Sequence, residues 1–250
     1  MPPRYEVIGI EGIGEVRPGD DVARLVAEAA SGQATPLRAG DVLVVGQKIL
    51  SKAEGRLVRL ADVVPSPAAA AMAGPLGRDA RLLEVILRES RRVVRMDRGI
   101  LITETHHGWI CANAGVDQSN VERDCVALLP EDPDRSARGL RERLRDLAGV
   151  DVGVIVADTF GRPWREGLTN VAIGVSGVAP LTSYLGQHDP AGRELQATII
   201  AVADELAAAA EPVMGKLGRI PAAIIRGLAL ARTEDGSKPL LRDPARDLFR

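Results

Sequence analysis

An α+β fold of mixed sheets with packed helices is predicted by three features of the sequence. Strand-like and helix-like segments neither alternate strictly nor separate into blocks. Short apolar runs such as Val42 to Val45 and Val152 to Ala157 read as buried strands. Between Val93 and Ala112, three brief strand patterns are joined by turns that suit a meander. A doubly wound α/β sheet is the alternative. With 250 residues, 46% of them hydrophobic, the chain can build a real core and is read as a single unit over 1–250, with room for a smaller subdomain.

Tyr5 to Ile10 reads as the first strand, and Asp20 to Ala30 as a helix capped by the preceding Gly-Asp-Asp turn. The strand Val42 to Val45 follows, opening into a loop. Pro65 to Glu89 contains an alanine-rich part and then an apolar stripe (Leu82, Leu83, Ile86, Leu87), both interrupted by glycines, so two helices are expected. Val93 to Met96, Ile100 to Glu104 and Trp109 to Ala112 are the meander strands, with turns at Asp97 to Gly99 and His106 to Gly108. His106 and His107 are therefore expected to be exposed. The proline-rich stretch Leu129 to Asp134 introduces a helix from Ser136 to Leu147. Val152 to Ala157 then ends at Asp158, Val171 to Val175 is a further strand, Leu195 to Met214 a long alanine-rich helix, and Ala222 to Ile225 the last strand.

Charge excludes several roles. There are 34 acidic and 32 basic residues, a net charge of -2, so no global field favours nucleic acid or an anionic membrane. Any phosphate binding must be local. The basic residues comprise 28 arginines and only four lysines, and two of those lysines, Lys48 and Lys52, share one short motif. Cys111 and Cys125 are too few for a disulfide framework or zinc site, which points to a reducing cytoplasm. No run approaches the ~18 apolar residues of a membrane span, and the N-terminus lacks a secretory pattern.

Three stretches carry candidate chemistry. Gly46 to Arg56 follows a strand with two lysines, a serine and a Gly-Arg exit, which can offer donors to a phosphate, although it lacks Walker spacing. Lys52, flanked by Ser51 and Glu54, is the better candidate of the two lysines; the ordinary alternative is a solvated turn. Asn113 to Asn120 places Asp117 among small polar residues, and Asp158 to Arg165 places Asp158 and Thr159 beside Arg162, Trp164 and Arg165. One or two carboxylates with phosphate oxygens and waters suffice for magnesium or manganese, so Asp117, Asp158 and Thr159 form a donor set if the two stretches meet. The alternative is that each aspartate caps a local turn. Arginine forks suit carboxylate or phosphate, and Phe160 or Trp164 offers a face to a planar ring.

Ser51 to Arg56, Asn113 to Asn120, Leu128 to Asp134, Asp158 to Arg162, Val202 to Glu205 and Val213 to Gly215 occur in the order found in the coenzyme F420-0:L-glutamate ligase family, which the chain resembles from about Ile8 to Gly227. The resemblance implies a GTP-dependent ligase that adds L-glutamate to coenzyme F420-0 and extends a gamma-linked tail. It further implies Mn2+ or Mg2+, K+ as a monovalent activator, and an intertwined homodimer of α+β fold, with no C-terminal flavin-binding domain in this chain. Carried over to matching positions, Asp117 and Asp158 are metal ligands and Thr159 is a ligand to a second metal. Asn120 contacts nucleotide, joined by Ile13, Gly14, Glu15, Val16, Gln47, Lys52 and the loop Met214, Gly215, Lys216, Leu217, Gly218, Arg219 and Ile220.

A carboxylate is a poor electrophile. Transfer of the GTP gamma-phosphoryl group to it would make an acyl phosphate for the glutamate amine to attack, with Lys52 and Arg162 as candidates for electrostatic stabilisation. Two other classes stay open. A metal-dependent nucleotide hydrolase or phosphotransferase would turn over without glutamate, and a non-catalytic deazaflavin-binding module would not turn nucleotide over at all.

Overall fold

The computed structural model describes residues 2–247. Along the chain run β1 (Glu6–Gly9), α1 (Val22–Gly32), β2 (Val42–Gly46), α2 (Gln47–Ala53) and β3 (Leu57–Arg59). Then come α3 (Pro67–Leu76), α4 (Ala80–Arg88), β4 (Ser90–Asp97), β5 (Ile100–Thr105), β6 (Ile110–Ala112) and β7 (Cys125–Ala127). The remainder is α5 (Pro133–Ala148), β8 (Gly153–Arg162), β9 (Arg165–Ser176), β10 (Thr182–Ser183), β11 (Ile199–Ile200), α6 (Val202–Met214) and β12 (Ala222–Arg226). The class is α+β.

Five strands form the main sheet in the order β1-β12-β2-β8-β9. Only β2 and β8 run parallel; the other three neighbouring pairs are antiparallel. This excludes the doubly wound alternative, whose strands would be joined by parallel crossovers. Side chains alternate across the sheet with the period of two that a strand imposes. Leu43, Val45, Val154, Val156, Ile173 and Ile224 face a core shared with α1 and α5. Val42, Val44, Ile155, Ala157, Val175 and Ile225 face the other way, onto α6. The continuous apolar runs are thus explained: both faces are covered, and each buried Val, Leu or Ile contributes about 1.5–3 kcal/mol.

Residues between β3 and β7 enclose a separate core of Leu60, Leu82, Leu83, Ile86, Leu101, Val126 and Leu128. Here β4, β5 and β6 form the expected meander. Both helices that precede it are capped by side chains, Ser66 accepting from the Ala69 N–H and Asp79 from the Arg81 N–H. Asp21 caps α1 and Asp132 caps α5, with Pro133 in the first turn.

Four expectations shift. The segment after β2 is the helix α2 rather than a loop. The long alanine-rich helix begins at Val202, because 182–200 runs out and back through the β10–β11 pair. The strand ending at Asp158 continues to Arg162 and pairs with β9 through a tight turn, so Asp158 lies within a two-stranded ribbon. Apolar periodicity missed this because beyond Asp158 only Phe160 is apolar and packs against the core. His107 is part-buried, its Nε2 sharing the Pro130 and Glu131 carbonyls, while His106 is exposed with Nε2 2.8 Å from the Arg88 carbonyl.

Candidate active site

Strand register decides which segments meet. Gly9 lies opposite Ala223, Ala222 opposite Val45, Gly46 beside Ala157, and Ala157 opposite Ala172. One edge of the sheet is thereby crossed by four exits: the loop after β1, the loop leading into β12, the start of α2, and Asp158. Close backbone approach knits them together. The Gly46 N–H donates to the Pro221 carbonyl at 2.8 Å, and the Ile10 N–H to the Ala222 carbonyl at 2.9 Å. A Cβ on Gly9 would stand 3.0 Å from Ile220 Cγ2, so glycine there lets the loop from Met214 to Ile220 lie against β1.

Helix α2 turns the edge into a site. Gln47, Ser51 and Lys52 are buried on its inner face, and the Ser51 hydroxyl donates to Gln47 Oε1 at 2.6 Å. Lys52 reaches across to an ion pair with Glu15, whose side chain is otherwise exposed. Ile13 and Val16 are buried beside Glu15 while Gly14 is exposed, so the loop is anchored at its apolar positions and presents its polar ones. Expected nucleotide residues Ile13 to Val16, Gln47, Lys52 and Met214 to Ile220 are thus brought to one sheet edge. Leu217 is the most exposed of them, at 95%.

At its first turn α2 also holds the Asp117 loop. Lys48 Nζ lies 2.7 Å from Asp117 Oδ2 and donates to Ser119 Oγ at 2.7 Å and the Ser119 carbonyl at 2.9 Å. The Ser119 N–H closes the turn on Asp117 Oδ1 at 2.7 Å, as expected of a capping aspartate. The Asp117 backbone exchanges both hydrogen bonds with Ala127, which pins the loop to β7. Asn113, Ala114, Gly115 and Asn120 all take left-handed φ, so the loop is tightly coiled. A Cβ on Gly115 would lie 2.7 Å from Leu129 Cγ.

Electrostatics place the two aspartates in one field. Burial alone would raise the Asp117 carboxyl, but hydrogen bonds from Lys48 and Ser119 outweigh it and hold it below the usual carboxylate range. Asp158 keeps some contact with solvent, yet protein packs densely round its carboxyl. Burial pushes it up to about 6; the Asp117 charge adds to the rise, while the Thr159 N–H, Lys48 and Lys216 oppose it. Cys111, close enough to feel Asp158, is pushed up to about 12, chiefly by burial, and stays a thiol.

Thr159 belongs to a closed ring. Lys216 Nζ donates to its hydroxyl at 2.6 Å, the hydroxyl donates to Asn170 Oδ1 at 2.7 Å, and Asn170 Nδ2 donates to Glu211 Oε2 at 2.8 Å. Glu211 Oε1 returns to Lys216 Nζ at 3.4 Å. Asn170 and Glu211 were not anticipated; each sits in a segment whose apolar neighbours mask it.

Arg162 is four residues beyond Asp158 on the same strand, about 13 Å further out at the usual rise. Its Nη2 donates to the Glu166 carbonyl at 2.7 Å, and its buried Nε has no hydrogen-bond partner among the described residues. Trp164 is 81% exposed in the turn, whereas Phe160 packs against the core.

A concavity of about 610 Å³ lies elsewhere, between α1, α2 and α5, and Asp117 and Asp158 do not line it. Among the described residues no cluster of three or more His, Cys, Asp or Glu is placed to hold a metal. The all-oxygen pair Asp117 and Asp158, with no thiolate or imidazole, fits a hard ion completed by phosphate oxygens and water rather than a metal caged by protein alone. No helix among the described residues is long and apolar enough to cross a membrane.

Residues 11–227 match the family described as F420-0:Gamma-glutamyl ligase. The chain is 52% identical over 241 residues to the coenzyme F420:L-glutamate ligase of Methanopyrus kandleri, covering 94% of each chain. It is 44% identical to the protein of that name in Methanothermobacter thermautotrophicus, covering 98% of each. In Methanocaldococcus jannaschii the identity is 38%, over 99% of this chain and 97% of the relative.

Proposed function

The chain belongs to the F420-0:gamma-glutamyl ligase family, and we propose that it forms an amide bond between L-glutamate and coenzyme F420-0, with cleavage of GTP, and then extends a gamma-linked tail. The observation that carries this reading is the meeting of Glu15, Lys52, Lys216, Asp117 and Asp158 around one edge of the main sheet. Asp117 and Asp158 would hold Mn2+ or Mg2+ together with the phosphates. Such an ion supplies charge screening of the triphosphate and of the carboxylate that attacks it.

The chain's own residues account for the remaining work. The buried Lys52 ammonium is held at the edge by Glu15 and can donate to phosphate oxygens as charge moves onto them. The loop from Met214 to Ile220 covers the nucleotide from the β12 side, and Asn120 contacts it from the Asp117 loop. The terminal carboxylate of the coenzyme attacks the gamma-phosphorus, releasing GDP. The glutamate amine then attacks the acyl carbon; phosphate leaves, the amine proton is lost, and the amide remains. Arg162, well out along the β8–β9 ribbon, is assigned to anionic groups of the coenzyme or incoming glutamate rather than to the transferring phosphoryl group.

Potassium is proposed as a monovalent activator on family resemblance alone. A homodimer is proposed as the working form, a reading supported by the exposed Trp164 and Leu168 on the ribbon. The test is product analysis with coenzyme F420-0, glutamate, GTP and Mn2+. One GDP should form per glutamate added, with ATP a poor substitute. GTP loss unaffected by omitting glutamate would replace this reading by nucleotide hydrolysis.

A further inference from the structure

Lys48 is the less favoured of the two lysines in the Gly46 to Arg56 stretch, yet it belongs to the site. Its ammonium has three donors and meets three acceptors: Asp117 Oδ2 and Ser119 Oγ at 2.7 Å, and the Ser119 carbonyl at 2.9 Å. Three of the roughly four acceptor sites of the Asp117 carboxylate are taken, two of them on Oδ2. Oδ1 accepts from the Ser119 N–H at 2.7 Å, and Oδ2 accepts from Ser119 Oγ at 3.0 Å as well as from Lys48. A divalent ion bonded to Oδ2 at about 2.0–2.2 Å would have to share that oxygen with an ammonium, two cations within one ligand distance.

We propose that Lys48 is the built-in counter-cation of the Asp117 and Asp158 pair, a positioning residue that occupies Asp117 Oδ2 in the ion-free protein and yields it when a divalent ion enters. The inference rests on the proposed cation site at these aspartates. Two observations separate this role from that of an ordinary loop fastener. The turn is already closed without Lys48, by the Ser119 N–H and by the two backbone bonds between Asp117 and Ala127. The lysine also stands on the first turn of α2, facing the loop, while Lys52 of the same helix serves Glu15. Its charge reaches Asp158 too, so one ammonium offsets the repulsion between the two carboxylates.

Mn2+ alone, without nucleotide, is the probe, titrated at constant neutral pH and low salt into wild type, Lys48→Met, Lys48→Arg and Asp158→Asn, with free Mn2+ read by electron paramagnetic resonance. Removing a competing like charge should tighten Mn2+ binding by Lys48→Met about tenfold or more, with Lys48→Arg at or below wild-type affinity. A loop fastener predicts the opposite sign, since its loss would loosen the Asp117 turn and weaken binding. Unchanged or weaker binding by folded Lys48→Met, with Asp158→Asn still reducing wild-type binding, overturns the role of Lys48 and leaves the cation site standing. Binding that Asp158→Asn does not reduce, or no binding by any of the proteins, overturns both.

Discussion

The Lys216 ammonium lies 2.6 Å from the Thr159 hydroxyl, immediately beside Asp158, in a chain position that also brings it to Glu211. The ammonium thus meets oxygens of Thr159 and Glu211 that could otherwise ligate a metal. With GDP present, Mn2+ uptake by the wild type is expected to saturate at about one ion per chain, since Lys216 leaves only the Asp117 and Asp158 pair open. Lys216→Gln should admit a further ion. Metal analysis finding equal stoichiometry in both proteins would show that Thr159 is not a ligand in waiting.

Lys52 is buried, and its charge is balanced by an exposed glutamate, so the pair can open toward a ligand without uncovering a core. Lys52→Ala should weaken GTP binding by about 1.5–3 kcal/mol, the range for hydrogen bonds to a charged group. Calorimetry on the folded variant decides this, and unchanged affinity would remove Lys52 from the phosphate site.

Gly115 carries both a left-handed φ of +70° and a neighbour that leaves no room for a side chain, since an added Cβ would sit 2.7 Å from Leu129 Cγ. Gly115→Ala should cost about 1–3 kcal/mol through backbone strain and overpacking. For a chain of this size that lowers Tm by about 2–4 °C per kcal/mol. Because the strain falls two residues before Asp117, Mn2+ affinity should fall with it; a variant of native Tm would show that the loop relaxes freely.

The sequence made the sheet edge readable but not the ribbon that leaves it. Apolar runs located β2, β8 and β12, because burial on both faces writes a continuous signal. The β8 continuation past Asp158, the short α2 helix and the β10–β11 excursion carry no such signal, their residues being polar or few. Six ordered motifs identified the family, yet they do different jobs in the fold. Asp132 caps α5, Asp134 accepts from the Val175 and Ser237 N–H groups, Asp204 accepts from the Ala172 N–H, and Arg56 donates to the Leu129 carbonyl. These fasten α5, α6 and the third core to the main sheet, whereas Lys52, Asp117, Asp158 and Thr159 gather at its edge. Lys48 was ranked behind Lys52 because spacing cannot tell which face of an unrecognised helix meets a loop 71 residues away.

Asp158 gives a pH test of the ion-free protein. Its carboxyl is raised to about 6, first by burial. Between the ordinary carboxylate value and about 6, the folded chain therefore binds more protons at this group than the unfolded chain, and its contribution to stability falls as pH rises through that window. Asp158→Asn removes the penalty. With a chelator present, the variant should gain about 1–3 kcal/mol on wild type above pH 6, at 1.36 kcal/mol per unit, and much less near pH 4. Denaturant unfolding showing the same difference at both pH values would contradict the buried-charge account.

The final expectation concerns joint action. Asp117 reaches the site from a loop pinned to β7 and held by Lys48, whereas Asp158 stands on β8, so nothing in their local structure obliges them to act together. Their charges already interact, and a shared ligand would couple them far more strongly. If one ion is held by both, losing either carboxylate removes most of its binding, and losing the second removes little more. Asp117→Asn and Asp158→Asn should each abolish most ligation without unfolding the chain, and the double variant should fall well short of the summed free energies, with a coupling of about 0.5–3 kcal/mol or larger. Additive losses in kcat/KM would mean that the two aspartates serve different steps, and the one-ion reading of the sheet edge would have to be given up.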